Sequence, residues 1–161
     1  MADGFALEVV TPDRLIVDAP AAALVLRTTE GEMTVLDGHT SLVAAVVPGI
    51  VRVDPVEGEP VRLAVHGGFL QVDTSPADRG DGPAGLATRV TLLAGIAELA
   101  DEIDVERARR AREAAAEHIG GGHPDRSDDE KPSVDEEAAA GELARAELRL
   151  EAAGATPAQP G

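Results

Sequence analysis

VTLLAGIAELADEIDVERARRA (residues 90–111) is where one kind of chain chemistry ends and another begins. Its first part, Val90–Ile96, is a short apolar run of the sort that forms a buried strand. Its last part, Asp101–Ala111, alternates charges of opposite sign and contains neither Gly nor Pro. That is helix chemistry, and Asp104 stands where an N-cap carboxylate would accept a backbone N–H. The change near residue 97 divides the chain into a strand-forming segment and a helix-forming one.

Upstream of this junction, short apolar runs are separated by turn residues. Phe5, Leu7 and Val9 alternate, and Thr11-Pro12-Asp13 breaks the run. Leu15–Val17, Ala23–Leu26, Met33–Leu36 and Leu42–Val47 follow, punctuated by Glu30-Gly31, Asp37-Gly38 and Pro48-Gly49. Ile50–Val53, Val61–Val65 and Phe69–Val72 continue the pattern beyond Glu57-Gly58, and Val90–Ile96 closes it. Short strands at regular spacing with Gly and Pro between them predict an antiparallel β sandwich or barrel over residues 1–97. Ser75–Thr88 (SPADRGDGPAGLAT) interrupts two strands and reads as a flexible inserted loop.

Downstream, Asp104–Glu117 and Glu136–Ala152 predict two helices, expected to form an antiparallel hairpin across residues 98–153. Gly, Pro and acidic residues between them (118–135) predict a disordered linker, and 154–161 a disordered tail. The apolar stripes expected are Val105, Ala108, Ala111 and Ala115 on the first helix and Ala140, Leu143 and Leu150 on the second. Burying alanine removes little apolar area at roughly 25 cal/mol/Å², so the hairpin is predicted to grip weakly. Gly141 weakens the second helix further. Such a hairpin is suited to docking and undocking.

Composition narrows function as much as fold. Hydrophobic residues make up 43% of the chain, enough for a core, but aromatics only 1%, namely Phe5 and Phe69. There is no cysteine, which removes disulfides, thiol catalysis and cysteine–zinc sites. The formal net charge of −16 argues against nucleic acid and anionic lipid as partners and favours basic protein surfaces. No apolar run approaches the ~18 residues of a membrane span, and the start of the chain lacks signal-peptide character, so direct membrane insertion is not expected. Neither G-x-S-x-G nor a phosphate-binding G-x-x-x-x-G-K-[ST] loop is present, so independent catalysis is not expected. His39 and His66 have no third ligand at metal-binding spacing, and no metal site is expected.

The order TTEGEMTVLDGHTSL, PGIVRV, AVHGGFLQV and VTLLAGIAELADEIDVERA resembles the epsilon subunit of bacterial F-type ATP synthases, from about Leu7 to Glu117 and more loosely through the second helix. Asp37 departs from the proline usual before Gly38-His39, and the segments 75–88 and 120–135 are insertions. The resemblance implies a non-catalytic central-stalk (rotor) subunit of the proton-transporting complex, peripheral at the cytoplasmic face of the cell membrane. It implies gamma and the c-ring as partners, with alpha and beta reached when the helices extend and restrain ATP hydrolysis. Gly31, Gly38, His39, Gly67 and Gly68 are the residues expected to shape the surface meeting gamma and the ring.

Two readings of Asp101–Ala111 stay open. A capped helix with solvated Arg107 and Arg110 accounts for it by itself. Some family members bind regulatory ATP through Ile/Leu-Asp-x-x-Arg-Ala, which occurs here as Ile103-Asp104-Val105-Glu106-Arg107-Ala108. The resemblance adds Glu98 to face base or ribose with Asp104, and Arg145 and Arg149, one helical turn apart, to grip phosphates. A further basic position of those members falls on Ala114, so the set is incomplete. No cofactor is required by either reading. The alternatives to a rotor subunit are a stand-alone nucleotide sensor, or a small β-barrel enzyme in which His39 and His66 converge with carboxylates.

Overall fold

A computed structural model describes residues 4–75, 88–121 and 133–155. Most of the expected loop at 75–88, most of the linker at 118–135 and most of the tail at 154–161 lie outside the described residues. The chain divides into two compact units, Met1–Ala100 and Asp101–Gly161.

The first unit is built from β1 (Phe5–Val10), β2 (Leu15–Thr28), β3 (Gly31–Leu36), β4 (Leu42–Val46), β5 (Gly49–Pro55), β6 (Val61–Val65), β7 (Gly68–Thr74), β8 (Thr88–Ala94) and β9 (Ala97–Leu99). One run of pairings, β2–β1–β8–β7–β4, returns to β2 at Thr28↔Val46. The other, β3–β2–β5–β6–β9, leaves from the second half of β2. This is the expected sandwich, with one departure: β1 and β8 pair in parallel. Parallel neighbours need a long connection, and nearly the whole sandwich lies between these two strands.

Alternation places the core as the sequence indicates. Phe5, Leu7 and Val9 of β1 point inward with Leu70 and Val72 of β7 and Val90 and Leu92 of β8, all at most 1% exposed. Leu24, Leu26, Val35, Val51, Val53, Leu63 and Val65 complete it from the other strands. The near absence of aromatics is met by branched aliphatic side chains, which fill the pleat of a sheet well.

Two strand expectations are corrected. Leu15–Val17 and Ala23–Leu26 are halves of the single strand β2, which runs through Pro20. Proline has no N–H for a ladder, but Pro20 sits where β2 exchanges partners, from β1 to β3 and β5. Val90–Ile96 is not the last strand. β8 stops at Ala94, and β9 pairs with β6 through Leu63↔Leu99 and Val65↔Ala97. A 3-10 turn, Ala100–Glu102, follows it.

The second unit holds α1 (Val105–Gly120) and α2 (Val134–Ala152), which pack on each other. Both helices reach into the stretch expected as linker, so 118–120 and 134–135 are helical. Asp104 caps α1 as expected, its carboxylate accepting the Arg107 N–H at 2.9 Å. Ser133 and Glu136 form a capping box on α2. The far end closes with Gly154 at φ +69°: its N–H reaches the Glu151 carbonyl, and the Ala155 N–H reaches that of Leu150. Gly154 and Ala155, expected within the tail, thus belong to the closure of α2.

The apolar stripes are also corrected. On α1, Ala108 and Ala115 are buried and Ala111 is exposed, so the stripe reads Val105, Ala108, Arg112, Ala115. On α2 the stripe is Ala139, Leu143, Ala146 and Leu150, with Ala140 exposed. Both follow three- and four-residue spacings, the seam of two closely approaching helices.

Candidate functional site

The sandwich carries apolar side chains on its outer face as well as inside. Leu15 pairs with Val10, Val10 with Leu93, Leu93 with Phe69 and Phe69 with Ala45. These five residues lie side by side across β2, β1, β8, β7 and β4. Leu15, Leu93 and Phe69 are 52%, 48% and 60% exposed. Val43, 72% exposed, stands two residues along β4 on the same face. One of the chain's two phenylalanines is thus spent on solvent, within a continuous row. The signal was present in the sequence: on β7, Phe69 is out of phase with Leu70 and Val72. A shallow apolar depression lined by Val10, Thr11, Pro12, Leu93, Ala94 and Gly95 borders the row at Val10 and Leu93.

The five residues expected at the interface fall into two groups. Gly67 and Gly68 flank the row, since Gly68 pairs with both Val46 and Ala94. Gly67 adopts φ +97°. A Cβ on Gly68 would run into the Leu93 carbonyl and lie 2.9 Å from Ala94 Cα. Only glycine lets β7 and β8 approach this closely. Gly31 opens β3 at the same end, where the Thr28 hydroxyl donates to its carbonyl at 3.1 Å.

Gly38 and His39 lie beyond the opposite end of β4, in the β3–β4 loop. Four residue steps of β4, roughly 13 Å, separate Leu42 from Val46. The loop is held by hydrogen bonds that the sequence did not announce. The Gly38 N–H donates to Thr88 Oγ1 at 2.9 Å, and Thr74 Oγ1 donates to the His39 carbonyl at 2.6 Å.

His39 and His66 therefore do not converge: His39 is beyond one end of β4, and His66 is beside Gly67 at the other. Among the described residues no three His, Asp or Glu side chains form a metal-binding group. His66 is nearly buried, and its Nε2 stands 3.7 Å from Glu98 Oε2 of β9. Glu98 thus has a partner within the sandwich unit.

In the helical unit, Asp104 is committed to its cap, Ile103 is half-buried and Ala108 is buried. Arg107 is exposed, as is Arg145, whose guanidinium reaches back along α2 to within 3.4 Å of where a Cβ on Gly141 would lie. Arg149 is half-buried one turn further on. Arg109 is not part of this set, because it pairs with Glu106 at 2.7 Å.

Comparison with known proteins agrees along the chain. The family model described as ATP synthase, Delta/Epsilon chain, beta-sandwich domain matches residues 4–77. The model for the long alpha-helix domain of the same chain matches residues 101–154. The ATP synthase epsilon chain of Symbiobacterium thermophilum is 37% identical over 156 residues, 96% of this chain and 96% of that one. The epsilon chain of Thermobifida fusca is 42% identical over 111 residues, 68% of this chain and 72% of its own. Among solved structures, a chain of the Euglena gracilis mitochondrial ATP synthase, seen with OSCP, F1 and c-ring in rotational state 1, matches with a TM-score of 0.60 and 25% identity. The match covers 95% of this chain and 79% of that one. A chain from the central stalk and c-ring of the Tetrahymena thermophila enzyme shares the fold at a TM-score of 0.54 and 10% identity, with 93% and 96% of the two chains covered.

Proposed function

This chain belongs to the ATP synthase delta/epsilon chain family, and from that membership we propose that it works as a non-catalytic rotor subunit joining gamma to the c-ring at the cytoplasmic face of the membrane. The observation that carries the docking role is the exposed row Leu15–Val10–Leu93–Phe69–Ala45 on a rigid sheet. A contiguous apolar row rimmed by polar residues is what a protein interface buries, and the gain scales with the area covered at roughly 25 cal/mol/Å². No helix among the described residues is long and apolar enough to cross a membrane, so membrane association comes through partners.

The helical unit supplies regulation in this reading. Its buried positions are mostly alanine, which makes release from a packed state inexpensive and leaves the helices able to extend toward alpha and beta and restrain hydrolysis. Two experiments test the proposal. Phe69→Ser is expected to leave unfolding within about 0.5 kcal/mol of the parent, as for other exposed positions, yet to abolish capture by gamma. Retained capture would remove the row from the interface. Ending the chain at Ala100 is expected to preserve capture and raise ATP hydrolysis by the assembled complex. An unchanged rate would remove the inhibitory role.

We propose regulatory ATP as a second ligand, on the observation that Arg145 and Arg149 stand one turn apart on α2. Together with Arg107 they supply the cationic charge a polyphosphate requires. Titration calorimetry on the full chain is expected to show heat that Arg107→Ala and Arg145→Ala each abolish. No heat at millimolar nucleotide would overturn this reading.

A further inference from the structure

Thr74 and Thr88 are the last cross-strand pair of β7 and β8. Thr88 is fully buried, one of the few polar side chains in the core, and Thr74 is half-buried. Their hydroxyl oxygens are 3.5 Å apart. The Gly38 N–H donates to Thr88 Oγ1 at 2.9 Å, and Thr74 Oγ1 donates to the His39 carbonyl at 2.6 Å. Each hydroxyl has one hydrogen. Thr74 uses its hydrogen on His39, so the hydrogen between the two oxygens comes from Thr88. The two outer bonds, from the Gly38 N–H to Thr88 and from Thr74 to the His39 carbonyl, are short, the contact between the hydroxyls is long, and the outer bonds fasten the same two loop residues.

A second clasp adjoins it. Ser41 Oγ accepts the Thr74 N–H at 2.9 Å and faces the Thr74 carbonyl at 3.4 Å. The loop Asp37–Ser41 closes on itself through the His39 N–H to the Leu36 carbonyl at 3.1 Å, with Gly38 at φ +77°. Its outward surface, from Asp37 to Thr40, stays largely exposed. A surface loop is thus held in one shape by two threonines that do not belong to it.

We propose that Thr74 and Thr88 are positioning residues for the docking surface: Asp37–Ser41 leads directly into β4, whose exposed Val43 and Ala45 belong to that surface, and the two threonines hold it in the conformation that gamma meets. This rests on the docking role proposed above. Threonine suits the task because its methyl group packs with the core while its hydroxyl bonds the loop. Valine keeps that shape and deletes the hydroxyl; serine keeps the hydroxyl and deletes the methyl.

The test uses the full-length chain carrying Thr88→Val, Thr88→Ser or Thr74→Val, with amide hydrogen exchange and gamma capture measured on each. Thr88→Val removes the acceptor of the part-buried Gly38 N–H, so exchange at Gly38 and His39 is expected to rise about tenfold or more and gamma affinity to fall about tenfold. Thr88→Ser is expected to retain both within about threefold. Thr74→Val, at a half-buried site, carries the same expectation should Thr88→Val fail to fold. Faster exchange with unchanged affinity would overturn the positioning role alone. Equal losses in the valine and serine variants would assign the effect to packing and overturn the role of the hydroxyls. No gamma capture by the unsubstituted chain would overturn the docking role, and unchanged Gly38 exchange in Thr88→Val would overturn the clasp separately.

Discussion

Single residues in this chain carry their roles through backbone geometry more than through reactive chemistry. Gly68 is a position where a methyl group has no room, because the Leu93 carbonyl already fills the space. Gly68→Ala is expected to destabilise the sandwich by about 1–3 kcal/mol, read as a lower urea midpoint with an unchanged slope. Asp104 works locally, its carboxylate satisfying one of the orphan amides at the start of α1. Asp104→Ala is expected to cost about 1 kcal/mol of helix stability, seen as faster amide exchange in the first turn of α1. The same substitution leaves Arg107, Arg145 and Arg149 in place. Nucleotide heat that survives it would separate the cap from the proposed ATP contacts.

At the scale of elements, strands were more legible than helix faces. Alternation of large apolar with small or charged side chains, as in Phe5-Ala6-Leu7-Glu8-Val9 and Val61-Arg62-Leu63, has one possible phase, because the large apolar set can be buried on one face only. The helices give no such contrast. With alanine on every side of α1, Ala111 and Ala108 look alike in sequence, and packing alone decides that the stripe passes through Arg112. The second cap has a sequence signature: Ser133-Val134-Asp135-Glu136 is a capping-box pattern, and it sets the start of α2 at Val134 rather than Glu136. Pro20 misled in the other direction, because a break in hydrogen bonding resembles the end of a strand until the exchange of partners is known. Leu150 is the largest buried side chain of α2. Leu150→Ala is expected to cost about 2–5 kcal/mol of helical-unit stability. Circular dichroism of the full chain would show the loss of helical signal at a lower temperature.

For the whole molecule, charge and apolar surface divide the work of association. In the docking role proposed above, the formal net charge of −16 steers basic partners toward the chain, and the row through Phe69 holds them once docked. Raising salt from about 0.05 to 0.5 M is therefore expected to slow association with gamma by roughly tenfold while leaving dissociation nearly constant. Stopped-flow binding at several ionic strengths checks this. A dissociation rate that rises with salt as the association rate falls would place the charges inside the contact. What the sequence determined by itself was local: strand alternation, the helix caps, the turn glycines, the missing cysteines and the order of motifs that marks the family. These follow from chemistry within a few residues of chain. Only the tertiary structure decided which apolar residues face outward together, which alanines are buried, where β2 changes partners and that Thr88 holds Gly38, fifty residues away. Those depend on which distant segments become neighbours, and register and packing set that only when the whole chain is folded.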